Sequence, residues 1–111
     1  MTAESEILVL STTPTRVEAE CLGRLLVDKR LVACVNIIPQ LTSIFLWEGS
    51  IATDEEVLLL MKSTMRRFDD IEKIIKEHHS YSVPEIIATP ILKGSHEYLS
   101  WMHEVMSGSP S

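Results

Sequence analysis

Short continuous runs of apolar residues alternate along the chain with segments in which apolar residues recur every three or four positions. The runs predict β-strands, because a strand covered on both faces shows no polar alternation. They occupy residues 7–10, 32–38, 44–47, 57–61 and 86–92, and the run at 44–47 continues the strand of 32–38. The periodic segments predict amphipathic helices. These start near residue 15, at residue 68 and at residue 97.

Residues that begin, break or turn elements lie between these segments. The first helix can begin at Thr13, with proline in its first turn, or at Thr15, which opens a capping box. Pro39 interrupts the second strand and predicts an edge strand or a bulge there, since proline donates no ladder hydrogen bond. Gly49 and Ser50 separate strand-like flanks and predict a tight turn. The strands on either side of this turn form a long hairpin, and we expect its far end to project beyond a domain of this size.

The order strand, helix, strand, strand, helix, strand, helix predicts an α+β, ferredoxin-like βαββαβ sandwich with an extra C-terminal helix. One four-stranded antiparallel sheet then carries helices on one face. Its other face needs cover, because continuously apolar strands would expose it, and self-association is the simplest cover. We predict a single domain over residues 1–111, with an ordered core from about residue 6 to residue 106 and a polar tail of residues 107–111.

Composition narrows the classes of function. Ten Lys and Arg against sixteen Asp and Glu give a net charge of −6, which disfavours nucleic-acid binding. No segment approaches the ~20 apolar residues that span a bilayer, and no signal peptide is visible. We therefore expect a cytoplasmic protein with reduced thiols. Cys21 is interpreted as a core residue of the first helix, and Cys34 as a buried structural thiol.

His78 and His79 fall at the last turn of the second helix and allow two interpretations. They can interact with the helix dipole, or they can bind a metal ion. Neighbouring helical side chains splay by about 100°, so joint chelation requires an irregular helix end or a second subunit. The sequence contains neither a CxxC nor an HxxxH pair, which disfavours a closed zinc site. It also lacks a nucleophile elbow and a Gly-rich phosphate loop, so we predict no enzymatic activity.

Several separate motifs resemble one known family, the CutA divalent-cation tolerance proteins. The motifs are ACVNIIP at 33–39, SIFLWEG at 43–49, EVLLLMK at 56–62, HHSYSVPEI at 78–86 and YLSW at 98–101. The resemblance covers about residues 6–106. It implies a ferredoxin-like homotrimer in which hairpins extend the sheets between subunits. It further implies a cytoplasmic bacterial or organellar protein with a role in tolerance of copper or other divalent cations.

The resemblance makes His79 the stronger candidate ligand and His78 an optional neighbour. Three positions depart from the family pattern: Ser80 replaces a proline, Ser11 stands where some members carry a cysteine, and Phe45 stands where the family often has tyrosine. Without that thiolate, imidazole and oxygen ligands suit Cu(II) or Zn(II) better than Cu(I). We therefore expect weak binding of Cu(II) or another divalent cation.

The CutA trimer also resembles the PII signalling proteins, which bind small ligands between subunits. This implies an alternative function, a small-ligand binding or signalling trimer that uses an intersubunit cleft. The candidate cleft residues are Trp47, Glu48, Glu56, Lys62, Tyr81, Glu85 and Trp101. Ordinary structural roles remain open for each residue, including packing at a subunit boundary for the two tryptophans.

Overall fold

The computed structural model describes residues 1–108 and confirms the predicted order of elements. The predicted polar tail extends past this range, and its residues 109–111 lie outside the described part. The strands are β1 (Glu6–Thr13), β2 (Cys34–Trp47), β3 (Ser50–Thr64) and β4 (Ile87–Pro90). The helices are α1 (Arg16–Asp28), α2 (Phe68–His78) and α3 (His96–Met106). Within residues 1–108, no helix has the length and apolar character needed to cross a membrane.

The four strands form one antiparallel sheet in the order β2-β3-β1-β4. This order places β2 and β4 at the edges of the sheet, and the ferredoxin-like α+β prediction is confirmed. β1 pairs with β3 from Glu6 opposite Thr64 to Thr13 opposite Val57. Because side chains of a strand alternate between the two faces, the odd-numbered residues of this part of β3 share one face.

That face carries the main core. Val57, Leu59 and Met61 are buried and pack with apolar residues of α1 and α2, such as Leu26 and Ile75. Each fully buried side chain of this size contributes roughly 1.5–3 kcal/mol. The even-numbered residues of β3 point to the opposite face, which we call the outer face. α3 packs separately, through Met102 and Met106 against Ala33.

The helix starts follow from local chemistry. α1 begins after Thr15, whose hydroxyl accepts a hydrogen bond from the backbone N–H of Glu18 at 3.2 Å. The capping-box start is therefore the one adopted, rather than the start at Thr13. Ser95 caps α3 in the same way and accepts a bond from the N–H of Tyr98. These side chains satisfy donors that the first helical turn leaves unpaired.

β2 and β3 form the predicted long hairpin. The pairing register shifts between Ile38 and Leu41, as Pro39 indicates. Glu48 and Gly49 form the two-residue turn, both with positive φ (49° and 82°), a conformation that a two-residue hairpin favours and that glycine adopts readily. The turn thus lies one residue before the predicted Gly-Ser pair.

The two predictions about cysteine burial are wrong. Cys21 is exposed, because the buried stripe of α1 runs through Ala19, Leu22 and Leu26 and leaves Cys21 on the solvent flank. Cys34 is only partly buried, because it lies on the outer face at the start of an edge strand. Both thiols are free.

Candidate functional site

α2 ends at the two histidines, and the helix end separates their environments. His78 is the last residue of the helix and is exposed. His79 is the C-cap, with extended backbone angles (φ −82°, ψ 143°) and a backbone N–H that bonds to the carbonyl of Ile75. Its side chain is fully buried, with 0% exposure. The irregular helix end that joint chelation requires is present, but it directs only His79 into the protein.

Both ring nitrogens of His79 make hydrogen bonds. Nε2 lies 2.6 Å from the carbonyl oxygen of Thr12, which only accepts, so Nε2 carries the proton. Nδ1 lies 2.9 Å from the backbone N of Tyr81 and accepts a hydrogen bond from its N–H. In this neutral tautomer only Nδ1 has a free lone pair, and that lone pair accepts the hydrogen bond from Tyr81. A metal ion could bind His79 only after one of these two hydrogen bonds is broken.

Two carboxylates hold the chain that follows His79. Glu18 Oε2 accepts bonds from the backbone N and the Oγ of Ser80, at 3.3 and 3.1 Å, and lies 3.4 Å from His79 Nδ1. The hydroxyl of Tyr81 donates to Glu56 Oε2 at 2.9 Å. Burial, followed by the hydrogen bond to Glu56 and its charge, raises the pKa of Tyr81 to about 12. The loop after α2 is thereby fastened to α1 and β3.

The metal prediction can be compared with this geometry. Among residues 1–108, no three His, Cys, Asp or Glu side chains are grouped so as to hold a metal ion. A cation at the exposed His78 would therefore take its remaining ligands from water or from a second chain. Ser11, where some family members carry a cysteine, is buried, and its Oγ has no hydrogen-bond partner in the described range. The assignment of His78 and His79 as metal ligands stays a prediction.

Within one chain, the predicted cleft residues lie in several places. Glu56 and Tyr81 are in direct contact. Lys62 lies six residues further along β3 than Glu56, which corresponds to about 20 Å at the usual rise per strand residue. Trp47 and Glu48 are exposed at the tip of the hairpin.

The other two predicted cleft residues lie outside the hairpin. Glu85 is exposed in the segment that precedes β4, and Trp101 is partly exposed on α3. A single cleft that contains all seven residues would therefore require more than one subunit, and it stays a prediction.

Lys62 instead belongs to a second group of polar side chains. Its ammonium donates to the side-chain oxygen of Asn36 and lies 3.9 Å from the sulfur of Cys34. Burial, followed by the charge of Cys34 and a hydrogen bond with it, raises the pKa of Tyr98. We call Cys34, Asn36, Lys62 and Tyr98 the Lys62 cluster. The ring of Trp101 lies beside it, with its centroid 5.5 Å from that of Tyr98.

Of the residues in this region, only Lys62 and Trp101 are among the site residues predicted from the sequence. Cys34, Asn36 and Tyr98 were missed, although they belong to the ACVNIIP and YLSW motifs that carry the family resemblance. Three of the family motifs, at 33–39, 56–62 and 98–101, meet in space at this cluster. The complete motifs would therefore have predicted these contacts better than single residues selected from them. Glu18 was also missed as a partner of the loop after α2, since it lies 62 residues before Ser80.

Comparison with known proteins identifies the family. The model of the CutA1 divalent ion tolerance protein family matches residues 7–105. The chain is 46% identical to the divalent-cation tolerance protein CutA of Thermus thermophilus, over 89% of this chain and 96% of the relative. It is 40% identical to the human protein CutA over 85% of this chain, and there it spans only 52% of the relative.

Solved structures agree with these relationships. The Thermus thermophilus Cut A1 structure superposes with a TM-score of 0.87 at 46% identity, covering 89% of this chain and 96% of that chain. The CutA1 structure from Oryza sativa gives a TM-score of 0.89 at 36% identity, covering 95% and 96%. The chain therefore belongs to the CutA1 divalent ion tolerance protein family.

Proposed function

We propose that this protein contributes to divalent-cation tolerance as a cytosolic homotrimer that binds divalent cations weakly, Cu(II) among them. The observation that carries the proposal is the match of residues 7–105 to the divalent ion tolerance family. A cytosolic location is proposed because both cysteines are free thiols, as is typical of a reducing compartment.

The ligand chemistry supports a hard or borderline cation. The net charge of −6 favours cations over anions at the surface as a whole. The serine at position 11 offers no thiolate to this candidate site, so imidazole and oxygen atoms are its expected ligands, and these suit Cu(II) or Zn(II). His78 is exposed and is the first ligand in this proposal. His79 becomes a second ligand only if the loop after α2 opens, which makes binding weak.

The hairpin supports the homotrimer. Large apolar side chains are exposed along it, with relative exposures of 71% for Ile44, 74% for Leu46 and 76% for Ile51. Exposed apolar surface of this kind marks interfaces, and the edge strand β2 also offers unpaired backbone groups to another chain. A neighbouring subunit would cover both.

Calorimetric titration with Cu(II), Zn(II) and Mg²⁺ tests the cation proposal. We expect weak binding of Cu(II) and Zn(II), weaker binding in the His78→Ala variant, and loss of binding at acidic pH, because coordination requires neutral imidazole. His96→Ala is the matched control, since His96 is also exposed and begins a helix. Equal Cu(II) affinity in wild type and His78→Ala would remove His78 from the site.

His79 needs a separate variant, because its loss also affects folding. His79→Gln keeps one donor and one acceptor in the side chain, and its melting temperature without metal reports the structural effect. We expect a lower melting temperature and little change in Cu(II) affinity, since His79 is a ligand only after the loop opens. A large loss of affinity at an unchanged melting temperature would instead make His79 the principal ligand.

A further inference from the structure

Glu18 is a partly buried carboxylate that lies next to His79. Its side chain is 20% exposed, and its Oε2 accepts hydrogen bonds from the backbone N and the Oγ of Ser80. Within residues 1–108, no Lys or Arg forms an ion pair with Glu18, whereas Glu20, two residues further along α1, pairs with Arg16. A carboxylate shielded from water without a counter-charge favours a cation beside it.

The distance between Glu18 and His79 suits two ligands of one metal ion. Glu18 Oε2 lies 3.4 Å from His79 Nδ1. Bonds from zinc to imidazole nitrogen and to carboxylate oxygen are about 2.0–2.2 Å long, so neighbouring ligands at angles of roughly 90–110° stand about 2.8–3.5 Å apart. The two atoms are therefore already spaced for joint coordination. Neither α1 nor α2 needs to move to bring them together.

A backbone N–H blocks this pair while the loop after α2 is closed. Tyr81 N–H donates to His79 Nδ1, so the lone pair that a metal ion needs is occupied. The hydroxyl of the same tyrosine donates to Glu56 Oε2 on β3 at 2.9 Å. We call this side-chain hydrogen bond the Tyr81 latch. It holds Tyr81 in place and thereby keeps the backbone hydrogen bond to His79 closed.

The charges around the latch attract cations. Burial, followed by the hydrogen bond to Glu56, raises the pKa of Tyr81. The negative charges of Glu56, Asp54 and Glu18 raise it further. Three carboxylates from α1 and β3 therefore act on the same hydroxyl group. A negative potential of this kind draws a cation toward the loop before any ligand bond forms.

We propose that Glu18 and His79 together bind a divalent cation such as Zn(II) or Cu(II) when the loop after α2 opens, and that the Tyr81 latch controls this opening. The inference rests on the proposed cation binding and adds to it a carboxylate ligand and a control on affinity. On opening, the Tyr81 N–H leaves Nδ1 and Ser80 leaves Oε2. Both atoms then bind the ion, and water completes its coordination. The measured affinity equals the intrinsic affinity multiplied by the fraction of open loops.

Calorimetric titration of the assembled protein with Zn(II) tests the latch. Tyr81→Phe keeps the aromatic ring but cannot bond to Glu56, so more loops are open, and Zn(II) should bind about two- to tenfold more tightly. Tyr98→Phe is the matched control, since Tyr98 lies on α3, and it should bind Zn(II) as the wild type does. Equal or weaker binding by folded Tyr81→Phe would overturn the latch. If Tyr81→Phe does not fold, Ser80→Ala replaces it, with a smaller gain expected and the same criterion.

Matched glutamate variants identify the carboxylate ligand. Glu18→Gln still accepts hydrogen bonds from Ser80 but offers no carboxylate, and in the Tyr81→Phe background it should abolish the gain in Zn(II) affinity. Glu20→Gln removes the same charge from α1 and should leave the gain intact. A gain that survives Glu18→Gln, or one that Glu20→Gln removes equally, would overturn the assignment of Glu18.

The latch and the proposed function fail separately in this experiment. If the wild type binds Zn(II) and Tyr81→Phe gains nothing, the latch is wrong and the proposed function stands. If only Tyr81→Phe binds Zn(II) or Cu(II), the latch stands and cation binding by the wild type is wrong. If neither protein binds either ion, both proposals are wrong.

Discussion

At the scale of single residues, His79 shows what a sequence motif can and cannot predict. Its place at the end of α2 follows from the apolar spacing of the helix, and the structure confirms it. Its burial does not follow from spacing, because the carbonyl that binds Nε2 belongs to Thr12, 67 residues away. The lone pair of its Nδ1 accepts a hydrogen bond from Tyr81. Whether an imidazole is free to bind a metal ion therefore depends on its hydrogen-bond partners more than on the motif that contains it.

Tyr81 gives a residue-scale test of the same loop. Tyr81→Phe removes the hydrogen bond to Glu56 and should lower the free energy of unfolding by about 0.5–1.5 kcal/mol at neutral pH. The folded-state pKa of about 12 lies above the ordinary value of 10.0. Because the pKa is higher in the folded state, the neutral tyrosine stabilises the fold fully below about pH 10. This stabilisation is lost as the pH rises toward about 12.

Urea unfolding of wild type and Tyr81→Phe at several pH values checks this prediction. The difference in unfolding free energy should be constant from pH 7 to 9 and shrink from pH 10 upward, since the phenylalanine variant lacks this titration. A difference that stays constant through pH 11 would contradict the raised pKa.

At the scale of elements, the boundaries set by local chemistry were the predictable ones. Thr15 as a cap and Pro39 as a break in pairing both acted as expected. β3 was predicted only over residues 57–61, yet it runs from Ser50 to Thr64. Its first half is rich in charged residues and has no buried face, so no apolar pattern marks it. That part is a strand because it pairs with β2, a contact between elements that residue propensities do not reveal.

The cap of α1 provides the element-scale prediction. Thr15→Ala removes the acceptor for the N–H of Glu18 and should lower the free energy of unfolding by about 1 kcal/mol. Thr15→Ser keeps the hydroxyl and should retain most of the stability. Urea denaturation should show a lower midpoint for the alanine variant with an unchanged slope. Equal midpoints for the alanine and serine variants would show that the cap contributes nothing.

At the scale of the whole molecule, one chain leaves its hairpin without a partner. The molecule is 45 Å long, and the hairpin carries exposed apolar residues that include Leu46 and Trp47. The sequence predicted that the hairpin projects from the domain and that its apolar residues need to be covered by another chain. The reason is that one small domain cannot bury all the apolar residues of such a long hairpin. It could not predict which residues of the candidate cleft meet, since contacts between subunits leave no periodic signal in one chain.

The exposed apolar side chains of the hairpin can be tested as the trimer interface. Leu46→Lys places a charge where the proposed trimer buries an apolar side chain, and it should convert trimers into monomers, because an unpaired buried charge is strongly unfavourable. Sedimentation equilibrium at micromolar concentration should give three times 12.5 kDa for wild type and 12.5 kDa for the variant. Val17→Lys is the control, since Val17 is 72% exposed on α1, outside the hairpin strands, and this variant should remain trimeric. A folded wild-type monomer would contradict the trimer. Dissociation by Val17→Lys would place the interface on α1 instead.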